Sequence, residues 1–483
     1  MNESQQLTGL LIGAGASYEL GMPLVWDLTS ELKTWLTPQK LRELNRGWRS
    51  QGGGHSDVVI NDLASVLVIP GMHYEAILGH LETQFRRVSP VQQEYHALYS
   101  WLVEMVYHIL YLRHVNNILY IERNIHFLEG IATLAAKNKP LWVFSLNHDV
   151  IIECLAAHIS VPLNSGFAAT DFSLPRRDKS GAKTGVLNVQ VITAEQLGKG
   201  LPFFQHGSFG INLLKIHGAL DIFAFRDGKD FIKLAPLMPT VAGVIEAMRA
   251  ANEELLYVIP QPPHFVKATN EITYADETGE MQFLRRSLLA GAYKFSARRD
   301  QVMPQHFLTQ FKTNINFVST LACIGYGFGD DHINQVIRGW LEFSAGRRLE
   351  IVSPAIADIP PSLLHLSTQL TLIRSTATDY LDGVAGIVRS RRDTLEKRIG
   401  AYFRQSTDKE KARQELMEIM LSGQKKLLND TVAKLGALPQ KDGDLDLDAI
   451  GVSPEEWTAG LLKESGASID DLLQSFLDRH PLT

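Results

Sequence analysis

A histidine followed by glycine, His217-Gly218, closes the apolar run Ile211 to Ile216, and Asn147-His148-Asp149 follows another such run, Leu141 to Ser145. A neutral imidazole titrates near neutral pH, so His217 suits a general base that takes a proton from a hydroxyl or from water. Asn147 offers a donor and an acceptor, which fits it to hold hydroxyls and to position a water for attack. Asp149 can stabilise developing positive charge or cap a helix beginning at Val150. Two glycine-rich turns complete the set. The run Leu7 to Ile12 enters Gly13-Ala14-Gly15-Ala16-Ser17, where small residues and a helix start set backbone N–H groups and a helix dipole against one spot suited to a pyrophosphate. The structural alternative is a strand-to-helix turn with Ser17 as its cap. The run Thr320 to Gly325 breaks into Gly325-Tyr326-Gly327-Phe328-Gly329-Asp330. There Asp330 either caps the amphipathic helix marked by Ile333, Val336, Ile337 and Trp340 or meets a ligand. His148 and His332 read as local hydrogen-bonding residues.

These residues act together only if strands carry them to one edge. Leu141 to Ser145, Ile211 to Ile216, Thr320 to Gly325, Arg348 to Ser353 and Leu370 to Arg374 are short apolar runs, most of them separated by segments long enough for a helix. That pattern predicts an α/β fold with a Rossmann-like parallel sheet, whose ligands bind beyond the carboxyl ends of the strands. Val25 to Trp35 reads as a helix. Residues 57–139 show helical periodicity and form a helical insertion, in which Tyr95 to Leu112 is apolar on most of its surface and needs cover from its own domain or a second subunit. Irregular inserts, read as loops or a small subdomain, are expected at about 162–205 and 221–304. The expected catalytic domain spans 1–392, followed by a C-terminal helical module at 393–483. That module contains the linker Leu438 to Asp448 and a capping box at Ser453-Pro454-Glu455-Glu456.

The 483 residues, 45% hydrophobic and 21% charged with a formal charge of -6, describe an ordinary globular chain with no overall electrostatic hold on nucleic acid. The cluster Arg389, Arg391 and Arg392 reads as a solvated helix face. Cys154 and Cys323 are the only cysteines, so a four-cysteine zinc site is excluded and no metal is expected. No basic segment precedes the first apolar run and no apolar stretch reaches the ~20 residues of a membrane span, which predicts a cytoplasmic protein without a membrane partner. A dehydrogenase turn would need glycine where Tyr18 stands, and Gly198-Lys199-Gly200 lacks the hydroxyl residue and glycine spacing of a P-loop.

The ordered set of Gly13 to Ser17, Asn147-x-Asp149, His217-Gly218 and Gly325 to Asp330 with His332-Ile333-Asn334 resembles the sirtuin superfamily, discontinuously over residues 7–385. The resemblance implies NAD+ as substrate and cleavage of the bond between nicotinamide and ribose, with Asn147 and His217 as catalytic residues. It places Gly13, Ala14, Gly15, Ala16, Ser17, Pro23, Asp149, Gly325, Gly327, Phe328 and Asp330 around the dinucleotide, the last glycine turn toward the adenosine. Two departures stand out: the zinc cysteines of the deacylases are missing, and Pro23 leads into Leu24-Val25-Trp26 where they carry Asp-Phe-Arg. With the long spacing from Gly13 to Asn147, these features are similar to prokaryotic sirtuin-like antiphage effectors. They imply an NAD+ glycohydrolase, activated by a partner such as a HerA-type ATPase or by assembly into a homo-oligomer. An NAD+-dependent deacylase, an ADP-ribosyltransferase and a non-catalytic NAD+ or ADP-ribose sensor are the alternatives.

Overall fold

Short apolar runs with few polar interruptions can be buried on both faces only in a sheet covered by helices. The computed structural model describes residues 7–226, 228–255, 269–291, 294–295, 305–406, 409–436, 440–441, 444–445, 453 and 469–480, and the chain divides into two units, Met1–Gly386 and Ile387–Thr483. The strands of the first unit are, in chain order, β1 (Thr8–Ile12), β2 (Leu141–Ser145), β3 (Leu163–Asn164), β4 (Ala168–Arg177), β5 (Lys183–Ile192), β6 (Ile211–Lys215), β7 (Ile222–Phe225), β8 (Asp230–Leu234), β9 (Glu271–Ala275), β10 (Met281–Arg286), β11 (Thr320–Ile324), β12 (Arg348–Val352) and β13 (Leu370–Ile373). Seven of them form one sheet in the order β13-β12-β11-β1-β2-β6-β3, parallel throughout. β2 and β6 are buried along their whole length, as are all residues but the first of β1 and β11. This is a Rossmann-like α/β fold.

Its topology decides where a ligand can bind. From β1 the chain builds β2 and β6 on one side, then returns to add β11 and β12 on the other, so the strand order reverses at β1. Such a switch point opens a crevice at the carboxyl ends of the strands. The register aligns those ends: Ile12 pairs with both Ile324 and Ser145, and Ser145 with Lys215. The turns after β1, β2, β6 and β11 therefore face one crevice.

The turns after β1 and β11 are locked together by backbone. Gly13 N–H donates to the Ile324 carbonyl at 2.9 Å and Gly15 N–H to the Gly325 carbonyl at 3.0 Å. A Cβ on Gly13 would lie 2.6 Å from the Gly325 oxygen, and one on Gly325 would lie 2.5 Å from the Gly15 Cα. Gly325 also sits at φ +66°, where only glycine is unstrained. Glycine is thus required here for turn-on-turn packing, and the N–H groups of Gly13 and Gly15, expected to be free for a phosphate, already have protein partners.

The insertion is helical, as its periodicity predicts, and includes helices Asp57–Leu67, Tyr74–Arg86 and Gln92–Val115. The long apolar helix is covered by its own chain. Leu98, Leu102, Val106, Tyr107 and Ile109 are fully buried, and the hydroxyls of Tyr99, Tyr107 and Tyr111 bond to Ala290, Leu220 and Glu253. Cover from its own domain, the first of the two alternatives expected, therefore accounts for most of its apolar surface, while Trp101, Met105 and Leu112 stay partly exposed. The inserts read as irregular instead carry all six strands of a second, antiparallel sheet in the order β4-β5-β8-β7-β10-β9. Polar alternation and solvent exposure in β4, β5 and β10 removed the apolar-run signal that marks buried strands.

In the second unit, Ser390 and Asp393 form a capping box at the start of helix Arg391–Gln405. Leu395, Ile399, Leu473, Phe476 and Leu477 make a small core. Arg391 and Arg392, read as a solvated face, pair with Asp471 and Asp470. Most of the linker and the capping box at Ser453 lie outside the described residues. Among those described, no helix is long and apolar enough to cross a membrane.

Replacing Gly325 with alanine tests the turn-on-turn packing. The Cβ meets backbone and φ is left-handed, so Gly325→Ala should cost at least ~2 kcal/mol. Urea midpoints would measure it, and an unchanged midpoint would refute the packing.

Candidate functional site

Ser145, the last residue of β2, accepts the Asn147 N–H on its Oγ at 3.2 Å, which folds the chain back over the sheet edge. The Asn147 side chain then donates from Nδ2 to the Gly13 carbonyl at 2.9 Å and to Ser17 Oγ at 3.2 Å. It is buried, and its Oδ1 is the remaining acceptor, with no protein donor among the described residues. Asp149 accepts the Ile151 N–H on Oδ1 at 3.1 Å, so it secures the first turn of helix Ile151–His158 and also lines the cleft described below. From the insertion, the buried His114 accepts the Val150 N–H on Nε2 at 3.3 Å while its Nδ1 meets the Leu110 carbonyl at 2.8 Å. Burial holds His114 below its ordinary pKa, consistent with the neutral ring this pairing needs.

Beneath this loop lies a buried charge cluster. The Lys215 ammonium, at the end of β6, donates to the carbonyls of Asp149 and of Asn147, the latter at 3.5 Å, and lies 3.4 Å from Glu153. Glu153 also pairs with Lys233 at 2.8 Å, and Lys233 pairs with Asp221. Burial opposes ionisation of Glu153, but the two lysines outweigh it and hold its carboxyl down to about 2. Two cations and two anions thus close on each other while the lysine fixes the backbone of the Asn147 loop.

The His217 turn is held from the second sheet. Leu289 N–H donates to the His217 carbonyl at 2.9 Å, Ala219 N–H to Ser287 Oγ at 3.3 Å, and Gly218 at φ +79° packs so closely on the Ser287 carbonyl that no Cβ fits. The buried His217 ring places Nε2 2.9 Å from Nε2 of His332, in the first turn of helix Asp331–Phe343. Asp330 precedes that helix but makes no side-chain cap. Its carboxylate pairs at 3.0 Å with Lys294, which also holds Glu75 of the insertion at 2.7 Å. Burial disfavours the Lys294 charge, yet the two carboxylates keep its pKa above the ordinary value. Burial, reinforced by Lys294 and the neighbouring histidines, pushes His217 well below 6.5. Burial lowers His148 to about 3 with help from Lys294, and takes His332 to about 4 against the pull of Asp330. All three rings are neutral at pH 7.

These walls enclose a cleft of about 420 Å³, within the range of small-molecule sites. Of the residues singled out in the sequence, Gly13, Ala14, Gly15, Pro23, Asn147, Asp149, His217, Gly325, Gly327 and Asp330 line it. Ala16, Ser17 and Phe328 do not; Ser17 is buried behind Asn147, and Phe328 turns at φ +56° to rest its ring on Tyr326. The sequence reading missed Trp26, His73, Glu75 and Lys294 in the wall. Trp26 stands three residues after Pro23, a signal that was available; Lys294 is brought in by the second sheet and had none. A second cleft of about 500 Å³ adjoins the first across Lys294 and Asp330, with Asp331, His332 and Gln335 in its lining.

Ligating atoms of His217, Asp330 and His332 lie within 4.8 Å of one another. The Lys294 ammonium already compensates Asp330 and the two imidazoles face each other, so we assign no metal there. Burial raises both thiols, Cys154 and Cys323, which stay protonated and stand outside the cleft lining. In comparisons with known proteins, no family model and no curated protein matches the chain.

Removing one member of the buried charge cluster leaves an uncompensated charge. Lys215→Met should therefore cost about 3–5 kcal/mol, read as a fall in the urea midpoint; a change below 1 kcal/mol would refute a tightly paired cluster. The histidines give a pH dependence. The unfolded chain takes up their protons near 6.5 while the folded rings resist until about 4 or below, so the unfolded state binds more protons in that window. Their contribution is fully present above pH 6.5 and is lost as pH falls toward 4. Unfolding measured at pH 7 and pH 4.5 should show the lower value at 4.5.

Proposed function

We propose that this chain hydrolyses NAD+ to nicotinamide and ADP-ribose. The observation that carries the reading is the meeting, in one cleft at the switch point, of Asn147 with its Oδ1 left open and a neutral His217. A Rossmann-like crevice with glycine turns after β1 and its neighbour β11 suits a dinucleotide. In the reaction, the bond between the ribose anomeric carbon and the pyridine nitrogen breaks, and its electron pair leaves with nicotinamide as a neutral base. Water, positioned by Asn147 Oδ1, forms the new bond to carbon and gives its proton to His217. Positioning carries most of the rate because the leaving group needs no acid.

The likeness to sirtuin-like antiphage effectors extends the proposal to NAD+ depletion in defence, with activity released by a partner, a HerA-type ATPase being one, or by self-assembly. Chromatography of NAD+ products tests the reaction, using protein alone and with the product of the adjacent gene. Asn147→Ala and His217→Ala should each lower turnover by about 10²-fold or more. O-acyl-ADP-ribose in the presence of an acylated peptide, labelled protein, or tight binding without turnover would replace hydrolysis by the deacylase, transferase or sensor reading respectively.

A further inference from the structure

A dinucleotide brings a negatively charged diphosphate into the cleft, and a group of the protein must meet that charge. The Gly13 and Gly15 N–H groups, its expected seat, already bond to Ile324 and Gly325. The described lining of the main cleft carries the carboxylates of Glu75, Asp149 and Asp330, and that of the second adds Asp331. Against them stands Lys294, the single lysine or arginine in either described lining, in the wall that the two clefts share. Its side chain is 6% exposed, with the ammonium 2.7 Å from Glu75 and 3.0 Å from Asp330. An ammonium has three donors, so two carboxylates do not exhaust it. Asp330 in particular has another place to go. It immediately precedes helix Asp331–Phe343 with extended backbone, as a capping residue does, yet its carboxylate makes no cap. The His332 N–H that such a cap would take has no acceptor among the described residues. The helix dipole there also favours a negative charge, as it does for Glu75 in the first turn of helix Tyr74–Arg86.

We propose that Lys294 binds the diphosphate of the substrate by exchanging partners: its ammonium leaves Asp330 for a phosphate oxygen, and the Asp330 carboxylate turns onto the His332 N–H to cap its own helix. The inference rests on the cleft taking a dinucleotide. In the free protein the Lys294–Asp330 pair closes the boundary between the clefts. With substrate bound, the ammonium keeps Glu75 and gains a charge-assisted hydrogen bond to phosphate. Asp330 trades an ion pair for a capping bond at the positive end of a helix, so neither charge is left without a partner. Asp330 therefore competes with the substrate for Lys294, and its carboxylate is not itself a ligand contact.

Titration calorimetry of the full chain with ADP-ribose, which carries the diphosphate but lacks the bond to be cleaved, tests the exchange. Lys294→Met should weaken ADP-ribose binding at least about 10-fold. It should raise KM for NAD+ with kcat little changed, because a phosphate remote from the breaking bond is held equally in the ground and transition states. Asp330→Asn should act in the opposite direction. Asparagine still caps a helix but no longer holds the ammonium, so ADP-ribose should bind at least about 3-fold more tightly. A bridge that is only structural, or an Asp330 that touches the ligand, would weaken binding in that variant instead. Equal or weaker binding in Asp330→Asn overturns the exchange, and this holds even where Lys294→Met does not fold. Unchanged binding in a folded Lys294→Met overturns it as well. ADP-ribose binding that depends on Lys294, in a protein that leaves NAD+ intact in every assembly state, overturns the hydrolysis reading and leaves the exchange standing. NAD+ cleavage with unchanged KM in Lys294→Met does the reverse. Failure of ADP-ribose to bind the unaltered protein in any assembly state overturns both.

Discussion

The backbone contact between the turn after β1 and the turn after β11 is the constraint on which the site depends. Gly13 and Gly15 donate to Ile324 and Gly325, and side chains at Gly13 or Gly325 would prevent the approach. Asn147 then reads the result directly, since its amide is fixed by the Gly13 carbonyl and by Ser17 behind it. The orientation of this side chain is thereby tied to the geometry of two neighbouring strands. Rigid strands position such a group more precisely than a loop does.

Buried lysines do the electrostatic work around this frame, in two different ways. Lys215 fixes the Asn147 loop through backbone carbonyls while Glu153, Asp221 and Lys233 complete a neutral cluster beneath it. Lys294 joins Glu75 of the helical insertion to Asp330 of the last glycine turn, and its charge disfavours protonation of His217 and His148. Low solvent access strengthens these effects, because a charge in the interior is screened far less than one at the surface. The insertion and the second sheet are therefore parts of the site: one supplies Glu75 and His114, the other pins His217 and delivers Lys294.

Much of the fold was legible because buried parallel strands announce themselves as apolar runs. Leu141–Ser145 and helix Val25–Trp35 lie where the sequence places them, β1, β6, β11, β12 and β13 each differ by one residue at one end, and the two-residue β3 was not foreseen. In the second sheet β4, β5 and β10 were not legible, because half-exposed antiparallel strands carry mixed polar and apolar residues, whereas the buried apolar run Ile222–Phe225 of β7 was available and was passed over. The cover of the long insertion helix was equally hidden: its composition demands burial but does not say against what.

By itself the sequence determined the chemistry on offer and the edge that presents it. Residue type and place in a run suffice for that: an asparagine, a histidine and two glycine turns each follow an apolar run, and strands of one parallel sheet end on one side. Tertiary structure alone decided how those groups are used. It gave the Gly13 and Gly15 amides to the neighbouring turn, set His332 against His217 across 115 positions of chain, and brought Lys294 between Glu75 and Asp330. Each is a contact between residues far apart in sequence. Their meeting depends on strand order and packing, which no local pattern encodes.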